Sequence, residues 1–350
     1  SLFSAIFITR LVFEWIMSTG KSINFSTKMT EKAFQNMNVD FLGKRKMFYV
    51  VSGIIILIGV GSLVTKGLNY GVDFTGGRSY IVRFDAPVNV ADASSALTKQ
   101  FVNEAGVTTA PEVKTFGSTS QVKITTKYMI ENTDNDVEEI LEGKLYDGLE
   151  GFYTEKITKD AFIAELTSQK VEPTIADDIK EAALISVIFA LLVIFAYIFL
   201  RFSKWQYSAG ALVALAHDVL IVLSLFSIFY GMLPFSLEID QAFIAAILTV
   251  VGYSINDTVV VFDRLREYLG LHPKKDPKEV INSALNSTIS RTVNTSLSTL
   301  VVLLIIFFLG GEMIQGFIFA MIIGVMVGTY SSLFIATPIS YDLTKGDMKR

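Results

Sequence analysis

Six long runs of apolar residues decide what this chain can become. They fall at 47–64, 182–200, 208–230, 241–262, 293–309 and 313–340. Each is near the ~20 residues that a helix rising 1.5 Å per residue needs to cross a hydrocarbon core. No water reaches exposed backbone N–H and C=O groups in hydrocarbon, so each run must close its hydrogen bonds within itself, as a helix does. The expected fold is therefore a membrane α-helical bundle. Composition agrees: 51% of the 350 residues are apolar and 18% charged, a balance wrong for a soluble globule of this length.

Between the first and second runs the sequence changes character. Residues 65–178 alternate, carry charge of both signs and hold no stretch long enough to span. Strand patterns at 79–84, 112–116 and 121–126, with helical patterns at 91–105, 135–146 and 158–168, predict a small α+β domain of ferredoxin-like type. Basic residues orient the bundle. Lys44, Arg45 and Lys46 precede the first span, and Arg201 and Lys204 follow the second. Arg264, Arg266, Lys274, Lys275 and Lys278 lie between the fourth and fifth, and Lys345, Lys349 and Arg350 follow the sixth. The opposite loops carry Glu238, Asp240 and Glu312 with no Lys or Arg. This bias predicts an extracytoplasmic 65–178 and a cytoplasmic C-terminus.

The expected organisation is a helix fragment at 1–20, a cytoplasmic linker at 21–46, a first span at 47–64, the domain at 65–178, a five-helix region at 179–342 and a tail at 343–350. The fragment reads as the end of a spanning helix, and the opening Ser suggests a piece of a longer polypeptide.

Several function classes are disfavoured. A net charge of −4 without a Lys/Arg-rich stripe argues against a nucleic-acid partner. There is no cysteine, and the two histidines are too few for a His-based zinc site. No Ser–His–Asp order, H-E-x-x-H or pair of carboxylates in a soluble domain is visible, so no enzyme, cofactor or metal is expected. Gly71–Gly77 (GVDFTGG) lacks the context of a phosphate loop and reads as a turn leading from the membrane into the domain. Gly324 and Gly328, four apart, make a small-residue helix contact.

Ionisable groups inside the spans are the candidate site. Asp257 lies about seven residues, or roughly 10 Å, before the basic flank of the fourth run. A carboxylate there needs protein, water or a partner; it is either a titrating group in a proton path or a structural polar knot. The pairs Gly252/Asn256 and Tyr253/Asp257 are spaced to put these polar groups on one helix side. The fifth helix is expected to start at Asp276-Pro277-Lys278-Glu279 and run about 33 residues to Gly310. On it Arg291, Asn294, Thr295 and Ser298 form one polar stripe. Arg291 either lowers the proton affinity of a neighbouring Asp or snorkels to headgroups. His217-Asp218, mid-way along the third run, is either a relay or, on the plainer reading, a hydrogen-bonded structural pair. Asp263, Arg264, Arg266 and Glu267 read as a solvated flank.

GVDFTGG at 71–77, AHDV at 216–219, GYSINDTVVVFDRLRE at 252–267, SRTVNTSLSTL at 290–300 and GTYSSLFIATP at 328–338 together resemble the SecD/SecF protein-export membrane proteins, and within them the SecF half. Residues 2–18 resemble the last helix of a SecD half, which suggests the C-terminal part of a fused SecDF. The resemblance implies a resistance-nodulation-division type bundle in the bacterial cytoplasmic (inner) membrane. It implies protons as coupling ion, and a SecD half, the SecY/SecE/SecG translocon and an exported unfolded polypeptide as partners. It also implies proton transport by Asp257 and Arg291, with Asn256, Thr258, Thr295, His217 and Asp218 as possible accessory polar groups. A small-molecule or lipid efflux transporter of the same superfamily and a non-transporting translocon scaffold are the rival readings.

Overall fold

A computed structural model describes residues 3–20, 38–102, 106–130, 132, 136–233, 235–311 and 314–344. Most of the 21–46 linker lies outside these residues, as do Glu312, Lys345, Lys349 and Arg350 from the charge-bias argument. The chain divides into two units, 1–39 and 40–350. In the first, one turn of π-helix at Ser4–Ile8 leads into α1, Thr9–Ser18, whose Arg10 and Glu14 pair at 2.7 Å one turn apart.

In the second unit six helices are long and apolar enough to cross a membrane. They are α2 (Phe41–Thr65), α7 (Pro173–Phe202), α8 (Trp205–Phe229), α9 (Gln241–Leu271), α10 (Pro277–Leu309) and a segment at 315–343. That last segment comprises α11 (Gln315–Ser331), a π-turn at Ser332–Ala336 and α12 (Thr337–Leu343). The widened turn has a local cause: Pro338 has no N–H to give the Phe334 carbonyl one turn back, so the ladder loosens there. Two spans start earlier than their apolar runs because polar first turns precede them. Asp40 caps α2 by accepting from Gly43 N at 2.8 Å, and Asp276 caps α10 by accepting from Lys278 N at 3.3 Å. The α7 helix opens with Pro at its first turn, inside the expected 65–178 segment.

The middle of the bundle is α8, α9 and α11. The helices α2 and α7 expose apolar side chains on most of their circumference, as a lipid-facing surface requires. Gly324 and Gly328 let α11 lie directly against α9: a Cβ on Gly324 would collide with Val250, and one on Gly328 would come within 2.9 Å of Ser254 Cβ.

The α+β domain contains β2 (Gly77–Arg83), α4 (Val90–Gln100), β3 (Glu112–Phe116), β4 (Ser118–Thr126), α5 (Val137–Leu149), α6 (Lys159–Glu165) and β5 (Thr167–Val171). The sheet order is β3-β4-β2-β5 with every neighbour antiparallel, the ferredoxin-like arrangement. Tyr80 and Val82 from β2, Val122 and Ile124 from β4, and Leu97, Leu141 and Leu145 from α4 and α5 make its core. Arg78 is buried in the same layer, donating to the carbonyls of Tyr128 (3.2 Å) and Met129 (2.9 Å). The expectation for this domain misses β5 and extends the 158–168 helix over it. TSQKV is polar and mostly exposed on an edge, so it carries no strand pattern to read. The segments expected as helix at 91–105 and 135–146 each have an end at undescribed positions.

The GVDFTGG segment is the joint between domain and bundle. After α2 the chain forms β1 (Asn69–Tyr70), paired in parallel with β6 (Glu238–Ile239), then α3 (Val72–Thr75). Asp73 holds two elements at once: Oδ1 accepts from Gln169 Nε2 of β5 at 3.1 Å, and Oδ2 accepts from Gln241 N, the first residue of α9, at 3.1 Å. Lys123 of β4 reaches Glu238 at 2.8 Å. Gly76 adopts φ +65° where a Cβ would come 3.0 Å from the Pro173 backbone, so the turn into the sheet requires glycine. The domain thus grips the end of the helix that carries Asp257.

Candidate functional site

Asp257 sits on the inward stripe of α9 with Val250, Ser254, Val261 and Phe262, and is 4% exposed. It lies sixteen residues, or about 24 Å, from the domain end of α9. Across from it are α10 side chains. Of these, Thr292 and Ser296 are buried and Arg291 is exposed. Ser296 is buried and itself hydrogen-bonds Thr329 of α11. The Asp257 Oδ2 and Thr292 Oγ1 atoms are buried without a hydrogen-bond partner. An orphaned carboxylate oxygen in a bundle core is costly and marks a place where a proton, water or further partner group belongs.

Two expectations need correction. Of the two readings of Arg291, a partner beside Asp257 is not what the structure has: no ion pair within 4 Å joins them, and Arg291 lies on the exposed face of α10. Asn256 and Gly252 were expected to share a side with Asp257. The structure turns both outward, because consecutive residues on a helix point about 100° apart and the buried stripe passes through 254, 257, 258 and 261.

Those outward groups form a second feature. On α9 Thr249, Gly252 and Asn256 are exposed; on the neighbouring α10 Arg291, Asn294, Thr295 and Ser298 are exposed. Thr295 returns its hydroxyl to the Arg291 and Thr292 carbonyls, at 3.1 and 2.9 Å. Arg291 lies eighteen residues, about 27 Å, from the domain end of α10, within the span of a ~30 Å hydrocarbon core. That depth is close to the far rim of the core, within snorkelling reach of the headgroups, so the guanidinium needs headgroups, water or protein against it.

A separate buried network surrounds His217 and Asp218 on α8. Asp218 is fully buried and His217 is 6% exposed. His217 Nδ1 is 3.0 Å from Asp218 Oδ1, and Asp218 Oδ2 accepts from Ser254 Oγ of α9 (2.6 Å) and Ser331 Oγ of α11 (2.8 Å). His217 Nε2 is 3.1 Å from Ser52 Oγ of α2, which is 3.0 Å from Tyr330 Oη of α11. Thr258, also buried, bonds Ser332 at 2.9 Å beside this network rather than Asp257. Four helices therefore meet through hydroxyls that the sequence reading left out. A signal existed: Ser52 interrupts an apolar run, and Ser254, Ser331 and Ser332 sit on inward faces. What cannot be read from spacing is that Ser254 and Ser331 converge on the Asp218 carboxylate while Ser52 meets the other side of the His217 ring.

Among the described residues no group of three or more His, Cys, Asp or Glu side chains is placed to hold a metal ion.

Comparison with known proteins agrees with this architecture. Residues 153–346 match the family described as protein export membrane protein SecD/SecF, C-terminal, and residues 61–88 match the SecD/SecF GG motif. The "Protein translocase subunit SecF" of Rhodothermus marinus is 44% identical over 312 residues, covering 89% of this chain and 95% of that protein. Its namesake in Haemophilus influenzae is 36% identical over 304 residues, covering 87% and 86%. The crystal structure of SecDF from Thermus thermophilus, described as a translocon-associated membrane protein, superposes with a TM-score of 0.78 at 28% identity. That match covers 98% of this chain but only 43% of the SecDF chain. The fold is thus that of the SecF half of SecDF, a bundle of the resistance-nodulation-division type. From the family match over more than half the chain and relatives similar over almost all of their own length, this chain belongs to the SecD/SecF family of protein-export membrane proteins.

Proposed function

We propose that this chain is the SecF-type accessory subunit of the Sec protein translocase in the bacterial inner membrane, and that it couples proton movement through Asp257 to export of polypeptide. The observation that carries this reading is the buried Asp257 carboxylate with an orphaned oxygen inside the bundle. Gaining a proton removes a charge from a low-dielectric place and lets the orphaned oxygen donate, which biases the packing of α9 against α10. Because Asp73 ties the start of α9 to the edge strand β5, such a shift is felt in the α+β domain. A rigid helix linking a titrating group to a docked domain is a lever.

The exposed Asn256 and Arg291 stripes are the face for a SecD half, which would shield them from lipid and contribute polar groups of its own. On this reading 65–178 is extracytoplasmic, the C-terminus is cytoplasmic, and the domain acts on an unfolded polypeptide leaving a SecY/SecE/SecG channel. The test is an Asp257→Asn substitution in the complete complex with its SecD half. Export of a secretory precursor and proton flux should fall together. Retention of both at the wild-type level overturns the carboxylate's role and favours a scaffold.

A further inference from the structure

A second protonatable chain lies apart from Asp257. We propose that His217, Ser52 and Tyr330, anchored by Asp218, form a relay that carries protons between the core of the bundle and the membrane face bearing Lys44, Arg45 and Lys46. The proposal deepens the proton-coupled reading, since it supplies a path for the same ion.

The argument is one of hydrogen-bond direction. Asp218 is fully buried and held by Ser254, Ser331 and His217, so it fixes the imidazole ring through Nδ1. With His217 neutral and Nδ1 carrying the hydrogen, Nε2 accepts from Ser52 Oγ, and Ser52 Oγ accepts from Tyr330 Oη. With His217 doubly protonated, every bond must reverse: Nε2 donates to Ser52, Ser52 donates to Tyr330, and the Tyr330 hydroxyl needs a new acceptor. The structure provides one, because Tyr330 Oη lies 3.4 Å from the Phe48 carbonyl on α2. A purely structural bridge needs one direction only. This chain can be satisfied in both.

The step balances. One proton from hydronium at the membrane face, which leaves as water, arrives at Tyr330 Oη while the Tyr330 proton passes to Ser52 Oγ and the Ser52 proton passes to Nε2. The hydroxyls are restored, each pointing the other way, and the net change is one proton gained by His217. Tyr330 is half-buried while Ser52, His217 and Asp218 are buried, so the tyrosine is the least enclosed group of the chain. Phe48 is adjacent to Tyr49, whose hydroxyl donates to Asp342 at 3.2 Å beside the Arg45–Asp342 pair at 2.9 Å. The other ionisable groups on the elements packed here are Lys44, Arg45, Lys46 and Tyr49 on α2, and Asp177, Asp178, Lys180, Glu181, Tyr197 and Arg201 on α7. On α8 and α9 they are Tyr207, Tyr253, Asp257, Asp263, Arg264, Arg266, Glu267 and Tyr268, on α10 Lys278, Glu279 and Arg291, and on α12 Tyr341 and Asp342. None of these hydrogen-bonds to His217 or Asp218.

Two measurements on the complete complex in lipid vesicles test this. The first is the ¹⁵N imidazole spectrum, wild type minus His217→Gln, with and without an imposed proton gradient. The relay predicts conversion from a singly to a doubly protonated ring; a ring that keeps one protonation state throughout overturns it. The second is proton flux under an imposed pH gradient. Tyr330→Phe keeps the ring stacked on Phe334, at 5.2 Å between centroids, and loses only Oη. It should lower flux by about a hundredfold, the low side of what a positioned proton-transfer group contributes. Flux and its pH profile unchanged in both Tyr330→Phe and Ser52→Ala overturn the relay. Asp257→Asn separates the two claims: it should leave the His217 titration in place. Should it also leave flux unchanged while Tyr330→Phe lowers it, the Asp257 role fails and the relay stands.

Discussion

Replacing Gly328 with Ala tests the contact on which the Asp218 network depends. The added Cβ would lie 2.9 Å from Ser254 Cβ, 3.1 Å from Ser254 Oγ and 3.4 Å from Ser254 Cα. The last of these is backbone on a buried helix, and the side chain cannot swing aside without breaking its 2.6 Å bond to Asp218. The helices α9 and α11 must therefore separate by a few tenths of an ångström or Asp218 must lose a donor. Overpacking of this kind costs about 1–3 kcal/mol, and an unsatisfied buried carboxylate oxygen adds about 1–3 kcal/mol if the bond breaks instead. Gly61 on α2 is the matched control: it is exposed and a Cβ there meets nothing within 4 Å. Gly61→Ala should be neutral or, by helix propensity, more stable by up to about 1 kcal/mol. Thermal or denaturant unfolding in lipid-mimicking detergent, followed for both variants, reads the difference. Equal stability of Gly328→Ala and Gly61→Ala would refute the close approach of α9 and α11.

Three further outcomes follow from the α+β domain and its joint. Asp73→Asn replaces one acceptor with a donor group, so it loses either the Gln169 or the Gln241 bond, worth about 0.5–1.5 kcal/mol; export should fall while a spectroscopic titration of Asp257 is unchanged. Burial makes Arg78→Met costly, because the Tyr128 and Met129 carbonyls lose their donor; the domain should unfold about 1–3 kcal/mol more easily by chemical denaturation. The Thr154 and Glu155 amides donate to Asp85 and hold its carboxyl below the ordinary carboxylate range. That stabilisation is fully present above the unfolded value of about 3.9 and is lost as pH falls through the lower folded value. Proteolysis at 153–157 should rise on acidification in the wild type, and the rise should vanish in Asp85→Asn.

The bundle was legible because a lipid-spanning helix leaves its mark in composition and length alone. Every one of the six runs became a helix, lengthened at its polar ends by caps such as Asp40 and Asp276. The α+β domain was legible where β2 and β4 alternate over a core, and not at β5, whose TSQKV faces water and is fixed only by pairing with β2. Asp257 could be singled out because a carboxylate in an apolar run is expensive wherever it points. Which way Arg291 and Asn256 point was not legible, since a stripe of polar residues on a helix looks the same whether it faces the core or a partner. The hydroxyl network was invisible for another reason: Ser52, Ser254, Tyr330 and Ser331 come together only through the crossing of α2, α8, α9 and α11.

The central claim is that the Asp257 carboxyl takes up and releases a proton while the complex works. The direct measurement is the infrared difference spectrum of the reconstituted complex, wild type minus Asp257→Asn, recorded as a pH gradient is imposed. A protonated-carboxyl C=O band that appears in the wild type, is absent from the variant and follows the gradient is the predicted result. A spectrum in which Asp257 stays in one protonation state under every gradient contradicts the account.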